Sequence, residues 1–131
     1  AGENVVATPR CDAVTIELCR RYVVPVMPGA DTPTEILNAW QAGADYVKVF
    51  PAGAGGPAYI KAVRAPLPQV RIVVVGGVTL ENTADFIRAG AELVGIGSEL
   101  VSQQLLGARD FAEITGRAKQ FCERVDIGRR Q

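Results

Sequence analysis

The sequence contains no histidine among its 131 residues. That absence excludes Ser-His-Asp and Cys-His catalytic groups, and with them most zinc sites. Only three cysteines are present, Cys11, Cys19 and Cys122, and none of them belongs to a C-x-x-C pair. An odd number of cysteines without a signal sequence favours free thiols in a reducing cytoplasm, so we interpret all three as small packing residues.

Long apolar runs and an excess of charge are also missing. The 14 basic and 14 acidic residues cancel, which gives no reason to expect nucleic acid or an anionic membrane as a partner. No run approaches the roughly 18 apolar residues of a membrane span, and residues 1–9 lack the features of a secretory signal. With 48% hydrophobic and 21% charged residues, the composition predicts one globular cytoplasmic domain over residues 1–131, without an internal boundary.

Lysine is scarce, and one lysine stands in an unusual place. Lys48 lies between Val47 and Val49, in a run that otherwise indicates a buried strand. Burial disfavours the charged ammonium and usually lowers the pKa of a lysine, and a neutral lysine can attack a carbonyl group to form a Schiff base. Alternatively, Lys48 extends its ammonium from a strand end into water. Lys61 and Lys119 fall in amphipathic helical stretches.

Strand and helix signals alternate along the chain. Thr32 and Glu35 form a capping box that begins a helix, and Gly43 ends it. The predicted strands span residues 5–7, 22–27, 45–50, 71–75 and 93–96. The predicted helices span residues 12–21, 33–42, 58–64, 80–88, 99–106 and a last segment that begins after Asp110. We expect buried positions at Val14, Leu18 and Cys19 in the first helix, and at Phe111, Ile114, Phe121 and Val125 in the last.

This order predicts an α/β protein with a parallel sheet and right-handed crossovers. Residues 42–49 also resemble residues 89–96, since each segment is a helix stop followed by a strand. Repetition of the unit favours a (β/α) barrel of the TIM type over an open sheet. Lys48 and Gly95 would then point into the barrel at the same height, where a glycine leaves room for a substrate.

Two glycine turns follow predicted strands and are expected to precede helices directly. Amide groups at Gly76-Gly77 and at Gly97-Ser98 would be unpaired there, and glycine lets a phosphate approach the backbone closely. A phosphate site in such barrels is often built from the loops after the last two strands. The alternative is two tight turns without a ligand. The loop 53–56 either adds amides to the site or only connects its neighbours.

Several motifs together carry a specific resemblance over almost the whole chain. They are Pro-Val-Met-Pro-Gly at 25–29, Thr-Pro-Thr-Glu at 32–35, Lys-Val-Phe-Pro at 48–51 with Gly-Gly-Pro at 55–57, Gly-Gly-Val at 76–78, and Gly-Ser at 97–98. In this order they resemble the 2-keto-3-deoxy-6-phosphogluconate (KDPG) aldolase family, whose members often also cleave 4-hydroxy-2-oxoglutarate (KHG).

The resemblance implies a class I aldolase without metal or other cofactor, in which a lysine forms a Schiff base with pyruvate. It implies a phosphorylated keto acid as the small-molecule partner, and a homo-oligomer, commonly a trimer. Glu35 lies in a family motif, but the capping box already explains it. By resemblance, Lys48 matches the Schiff-base lysine, Gly76, Gly77, Gly97 and Ser98 match phosphate-site positions, and Phe50 and Pro9 match pocket-lining residues.

The sequence departs from the family in two respects. The family has eight strands, whereas the five predicted here resemble its fourth to eighth, so the family's general-base glutamate and its arginine for the pyruvate carboxylate have no counterpart. Val74 and Val75 also stand where the family usually has Pro-Thr, which removes a hydroxyl from the pocket. The chain is therefore a fragment of a longer protein, or it completes a barrel with another chain, or it is a truncated relative that forms a smaller oligomeric unit.

Three functional hypotheses follow. The first is a Schiff-base aldolase that releases pyruvate and glyceraldehyde 3-phosphate from a 2-keto-3-deoxy-6-phospho sugar acid. The second is a non-catalytic relative that keeps the phosphate rim as a binding or assembly module. The third is another phosphate-binding (β/α) barrel enzyme that uses Lys48 only as a charge.

Overall fold

The computed structural model describes residues 4–130, which form parallel strands alternating with helices. No helix in that range is both long enough and apolar enough to cross a membrane. The strands are β1 (Val6–Ala7), β2 (Val26–Met27), β3 (Gly29–Ala30), β4 (Val47–Val49), β5 (Ile72–Val75) and β6 (Leu93–Gly95). The helices are α1 (Ala13–Arg21), α2 (Pro33–Gln41), α3 (Ala52–Arg64), α4 (Thr83–Arg88), α5 (Gln103–Ala108) and α6 (Phe111–Arg129).

All strand pairs are parallel, which confirms the predicted α/β class. β1 pairs with β2, and the other strands form a sheet in the order β3-β4-β5-β6. Only Pro28 separates β2 from β3, so these two short strands are parts of one interrupted strand that belongs to both sheets. Counted in this way, the strands occupy five positions, as predicted. The predicted strand 22–27 begins later than expected, because Tyr22 and Val23 form the turn after α1, with φ of 56° at Val23.

The main core lies between the strands and the helices. Val47 and Val49 of β4 and Ile72 and Val74 of β5 point to this side and are fully buried. They belong to one cluster with helix residues that include Phe86. Each such side chain contributes about 1.5–3 kcal/mol through burial. Because side chains alternate along a strand, the intervening residues face the other side of the sheet, where the candidate site lies.

Three helices begin at different residues from those predicted. α3 starts at Ala52 instead of residue 58, but it consists of two helical pieces that meet at a kink at Gly56, and the predicted helix 58–64 corresponds to the second piece. Glycine has a low helix propensity, so the sequence indicated a loop there, but tertiary contacts hold the first turn in place. α4 starts at Thr83 instead of residue 80. α5 starts at Gln103 instead of residue 99, because the Ser102 side chain accepts a hydrogen bond from the Leu105 amide and caps it.

The buried sides of two helices were partly wrong in the prediction. In α1, Ile16 and Cys19 are buried, whereas Val14 and Leu18 are 73% and 52% exposed. Both sets have helical spacing, so periodicity alone did not choose between them. In α6, Phe121 is buried as predicted and Phe111 is 63% exposed, while Ile114 and Val125 are half-buried.

Of the cysteines, Cys11 is half-buried and Cys122 is exposed, so the packing interpretation holds in full only for Cys19.

Candidate functional site

Lys48 lies at the centre of the sheet, in β4. Its neighbours along the strand face the helices, so its own side chain points to the opposite side and is half-buried. Its register partners are Gly29 in β3 and Val73 in β5. The Nζ atom lies 5.7 Å from the centroid of the Phe50 ring, within the range of a cation–π contact. No carboxylate of residues 4–130 lies within 4.0 Å of this amine, so no ion pair within that range occupies it.

Phe50 connects the lysine strand to two other predicted site residues. Its ring packs against Gly76, where an added Cβ would lie 2.8 Å from the ring carbon Cε2. Phe50 and Pro9 also line one cleft of about 560 Å³, although Lys48 is not among its lining residues. The structure thus places Lys48, Phe50, Pro9 and Gly76 around the carboxyl ends of the strands. The other residues that line the cleft are Arg10, Cys11, Ala13, Gly29, Ala30, Asp31, Glu35 and Asn38.

The Gly76-Gly77 turn packs directly against the first turn of α3. Gly76 and Gly77 have φ of 81° and 75°, a conformation that favours glycine. The Gly53 amide donates a 2.8 Å hydrogen bond to the Gly76 carbonyl. A Cβ added at Gly53 would lie 2.8 Å from the Gly77 Cα, so neither position has room for a side chain. Because the Gly53 amide is used in this contact, it is not free to bind an anion, which favours the connecting role of residues 53–56 over the role of adding amides to the site.

Neither glycine turn lies directly before a helix, contrary to the prediction. Residues 78–82 separate Gly77 from α4, and residues 99–102 separate Ser98 from α5. The argument from helix dipoles therefore does not apply to these turns. Gly97 and Ser98 are exposed, and apart from Gly97 itself and its two chain neighbours, no atom of residues 4–130 comes within 4 Å of a Cβ built on Gly97. An anion at this turn would therefore meet exposed backbone and open space at the end of β6.

The space over Gly95 differs from the prediction. Lys48 pairs in register with Val73, and Val73 with Leu93, so Gly95 lies on the same face of the sheet as Lys48, two residues further along. The Cγ2 methyl of Val75, however, lies 2.8 Å from the position of a Cβ on Gly95. The room expected for a substrate over this glycine is therefore partly filled by Val75.

Glu35 has the structural role that the sequence assigned to it. Its carboxylate accepts hydrogen bonds from the amides of Thr32 and Asp31, at 2.8 and 3.0 Å, and the Thr32 hydroxyl accepts one from the Glu35 amide. This is the predicted capping box. The hydrogen bonds from Thr32 and Asp31 lower the pKa of Glu35 below its ordinary value.

A glutamate with a lowered pKa gives a testable pH dependence. The ionised group stabilises the fold above the ordinary glutamate pKa, and this contribution is lost as the pH falls through the lowered pKa. We expect Glu35→Gln to unfold at a lower urea concentration than wild type at neutral pH, and the difference to vanish in acid. Urea midpoints at both pH values check this. A constant difference across the pH range would contradict the role of the carboxylate.

A second cavity lies away from these residues. It has a volume of about 410 Å³ and runs between the helix-facing side of β6 and helix α6. Its lining is mostly apolar, and it contains none of the predicted site residues. No group of three or more cysteine, aspartate or glutamate side chains within residues 4–130 could hold a metal ion. The residues that line this apolar groove are Val94, Ile96, Leu100, Ala118, Phe121, Cys122, Val125, Asp126 and Arg129.

Comparison with known proteins shows which family the chain belongs to. The family described as "Aldolase: KDPG and KHG aldolase" matches residues 1–117. The chain belongs to this family. It is 43% identical over 100 residues to the 2-dehydro-3-deoxy-6-phosphogalactonate aldolase of Escherichia coli K12, covering 76% of this chain and 49% of that enzyme. It is 34% identical over 128 residues to the 2-dehydro-3-deoxy-phosphogluconate aldolase of Treponema pallidum, covering 97% and 61%.

The lysine strand and the glycine turns therefore belong to a chain of the KDPG and KHG aldolase family. A solved structure described as "Native KDPGal structure" superimposes with a TM-score of 0.82 and 36% identity. The superposition covers 94% of this chain and 60% of that one. The chain accordingly spans about half to three fifths of the length of the relatives it matches.

One residue near the glycine turn was not found from the sequence. Asn82 lies just before α4, and its side chain bonds to Gly77 and Thr79 instead of capping its own helix. An asparagine shortly before a helix does signal a cap. The sequence could not indicate that its amide bonds to the glycine turn, because that choice depends on the backbone path of residues 76–82.

Proposed function

We propose that the protein is a class I aldolase that cleaves a phosphorylated 2-keto-3-deoxy sugar acid to pyruvate and glyceraldehyde 3-phosphate. KDPG is the substrate named by the family resemblance, with KHG as a further one. The observation that carries the proposal is the position of Lys48 in a chain of this family: it is the one lysine on the site face of the sheet, and it lies beside Phe50, whose ring packs against Gly76.

In the proposed reaction, the neutral Lys48 amine adds to the C2 ketone of the substrate, and loss of water gives a protonated Schiff base. The C3–C4 bond then breaks, and its electron pair moves into the Schiff base to form an enamine. The C4 hydroxyl gives its proton to a base, and C4 leaves as the aldehyde carbon. Protonation of the enamine at C3 and hydrolysis release pyruvate and restore the lysine. The base is a water or a group from outside residues 1–131, since no residue matches the family glutamate.

The phosphate is proposed to bind at the two glycine turns. The Gly76 carbonyl accepts the Gly53 amide, and the Gly77 carbonyl accepts the Asn82 side chain, so neither oxygen is free to face an anion. The open space at Gly97 and the exposure of Ser98 support a site between these turns. Phe50 and Pro9 are proposed to line the pocket of the keto acid.

Two sugar acids that differ at C4 are the first substrates to test. The gluconate and galactonate compounds are C4 epimers, and they give the same products because C4 becomes a planar aldehyde carbon. The higher identity to the galactonate enzyme, 43% against 34%, supports including that epimer. Pyruvate release from each epimer and from KHG, measured with a coupled dehydrogenase, tests the proposal. We expect pyruvate from at least one phosphorylated epimer. None from a folded protein would contradict cleavage by this chain.

Val75 is expected to influence the choice between the two epimers. Its side chain lies on the site face of β5, over Gly95, where the family usually has a threonine. Val75→Thr replaces a methyl by a hydroxyl of similar size, which adds one polar group to the pocket. We expect the ratio of kcat/KM values for the two epimers to change by about tenfold, which corresponds to about 1.4 kcal/mol. Val101→Thr, at an exposed position outside the sheet, is the control. An unchanged ratio of kcat/KM values would contradict the placement of the Val75 side chain in the substrate pocket.

We further propose that the chain is one partial (β/α) barrel domain, with strands that match the family's fourth to eighth. Within residues 4–130, β1 pairs only with β2, and β6 pairs only with β5. Apolar surface lies at both ends of this array: Val14, Leu18 and Tyr22 are exposed on and after α1, and the apolar groove adjoins β6. Further polypeptide, in this chain or in another, would cover both ends. A homo-oligomer remains the expected state, and light scattering measures it.

A non-catalytic module is the second candidate function. Val75 stands in the place of the usual threonine, and this departure favours the alternative. Such a module would bind phosphate at the glycine turns without using Lys48. Phosphate binding without a pyruvate adduct would therefore identify it.

A further inference from the structure

Asn82 makes two hydrogen bonds that lie outside its own helix. Its Nδ2 atom donates to the Gly77 carbonyl at 2.9 Å, and its Oδ1 atom accepts from the Thr79 amide at 2.8 Å. An asparagine at the N-cap position ordinarily accepts a hydrogen bond from the first turn of its helix. Asn82 makes no such bond. Its side chain is therefore used to fix the loop between β5 and α4.

Hydrogen bonds to the two glycine carbonyls fix two successive peptide groups. A peptide is planar, and its N–H points opposite to its C=O. The Gly53 amide holds the Gly76 carbonyl, and so sets the direction of the Gly77 N–H. Asn82 holds the Gly77 carbonyl, and so sets the direction of the Val78 N–H. Neither of these two N–H groups donates a backbone hydrogen bond within residues 4–130.

The two peptides are held with different strength. The first is fixed by a backbone contact with α3, in which Gly53 and Gly77 touch directly. The second is fixed by one side chain only. Gly77 has φ of 75°, and glycine can rotate away from this conformation more easily than any other residue. Without the Asn82 amide, the Gly77–Val78 peptide has no donor at its carbonyl within residues 4–130.

We propose that Asn82 is a positioning residue of the phosphate site: it holds the Gly77–Val78 peptide so that the Val78 N–H points to the phosphate of the substrate. The proposal rests on the proposed function, because it takes the Gly76-Gly77 turn as the place where the phosphate binds. Asn82 itself does not touch the substrate in this account. It acts through the Gly77 carbonyl.

Two substitutions at Asn82 separate this role from helix capping. Asn82→Ala removes both hydrogen bonds. Asn82→Asp keeps the acceptor for the Thr79 amide and the ability to cap a helix, but it places a carboxylate oxygen against the Gly77 carbonyl instead of a donor. Thr115→Ala is the matched control, because it also removes one side-chain hydrogen bond to the backbone, from Thr115 to the Phe111 carbonyl in α6.

The experiment compares two readouts on the full chain: the Kd of inorganic phosphate by calorimetry, and the yield of the borohydride-reduced pyruvate adduct on Lys48. We expect both Asn82 variants to weaken phosphate binding about tenfold, with adduct yields within twofold of wild type, and Thr115→Ala to change neither. Wild-type phosphate affinity in Asn82→Asp would overturn the positioning role. So would equal losses of phosphate binding and adduct in Asn82→Ala. A wild-type chain that binds no phosphate would instead refute the phosphate part of the proposed function.

Discussion

Replacement of Lys48 by methionine is expected to abolish the pyruvate adduct and to lower aldol cleavage about a thousand-fold or more. Methionine keeps an unbranched side chain of similar length in the half-buried position, but it has no amine to add to the ketone. The stability should change little, since Lys48 has no ion pair with a carboxylate of residues 4–130. Inorganic phosphate should still bind, because the glycine turns remain intact.

Lys61→Met is the matched control for this variant. Lys61 is exposed on α3, so loss of its amine removes the same charge without changing the site face of the sheet. Cleavage rates and adduct masses of both variants are measured beside wild type. Cleavage that persists in Lys48→Met would contradict the nucleophilic role. Equal losses in both variants would show that overall charge, and not the position of Lys48, determines activity.

Replacement of Gly77 by alanine is expected to destabilise the fold by about 2–5 kcal/mol and to weaken phosphate binding. Gly77 has φ of 75°, a left-handed conformation that costs a residue with a Cβ about 1–2 kcal/mol. The added Cβ would also lie 2.7 Å from the Gly53 Cα, and such overpacking typically costs about 1–3 kcal/mol. To relieve the contact, the turn must move away from α3, and its amides move with it.

Gly116→Ala is the matched control for this prediction. Gly116 lies inside α6, and apart from its chain neighbours and the nearby backbone of the helix itself, no atom of residues 4–130 lies within 4 Å of a Cβ built on it. Alanine there should stabilise the protein by about 0.5–1 kcal/mol, because it favours the helix. Urea denaturation measures both changes, and calorimetry measures the phosphate affinity. An equal, small effect at the two positions would contradict the tight packing of the glycine turn on α3.

The order of strands and helices could be predicted because local signals mark it. Gly43 and Gly90 end helices with φ of 97° and 107°, and each precedes a strand, as the internal similarity indicated. The capping box at Thr32 and Glu35 has the predicted hydrogen bonds. These features depend on residues close together in the chain, so the sequence contains most of what determines them.

Features set by distant residues could not be predicted in the same way. The first turn of α3 is glycine-rich and has little intrinsic helical preference, yet its contact with Gly76 and Gly77 holds it. Val14 and Leu18 have the spacing of a buried stripe, but the orientation of α1 buries Ile16 and Cys19. In both cases the outcome depends on which surface a segment meets, and hydrophobic spacing alone does not contain that information.

In the candidate site too, features that depend on nearby residues could be predicted and features that depend on distant residues could not. Lys48 stood out in the sequence because an amine in an apolar strand is unusual, and the structure places it on the site face beside Phe50. The space over Gly95 could not be foreseen, because the Val75 side chain that partly fills it comes from the neighbouring strand. Asn82 was not found, because its hydrogen-bond partners depend on the path of a loop.

Borohydride reduction in the presence of pyruvate, followed by intact-mass and peptide analysis, tests the central claim most directly. The account predicts one reduced pyruvate adduct per chain, located on Lys48 and absent from Lys61 and Lys119. That result would show that the lysine is nucleophilic and that its pocket forms in the 131-residue chain. A folded protein without an adduct, or with adducts spread over exposed lysines, would contradict catalysis by this chain and favour the phosphate-binding module.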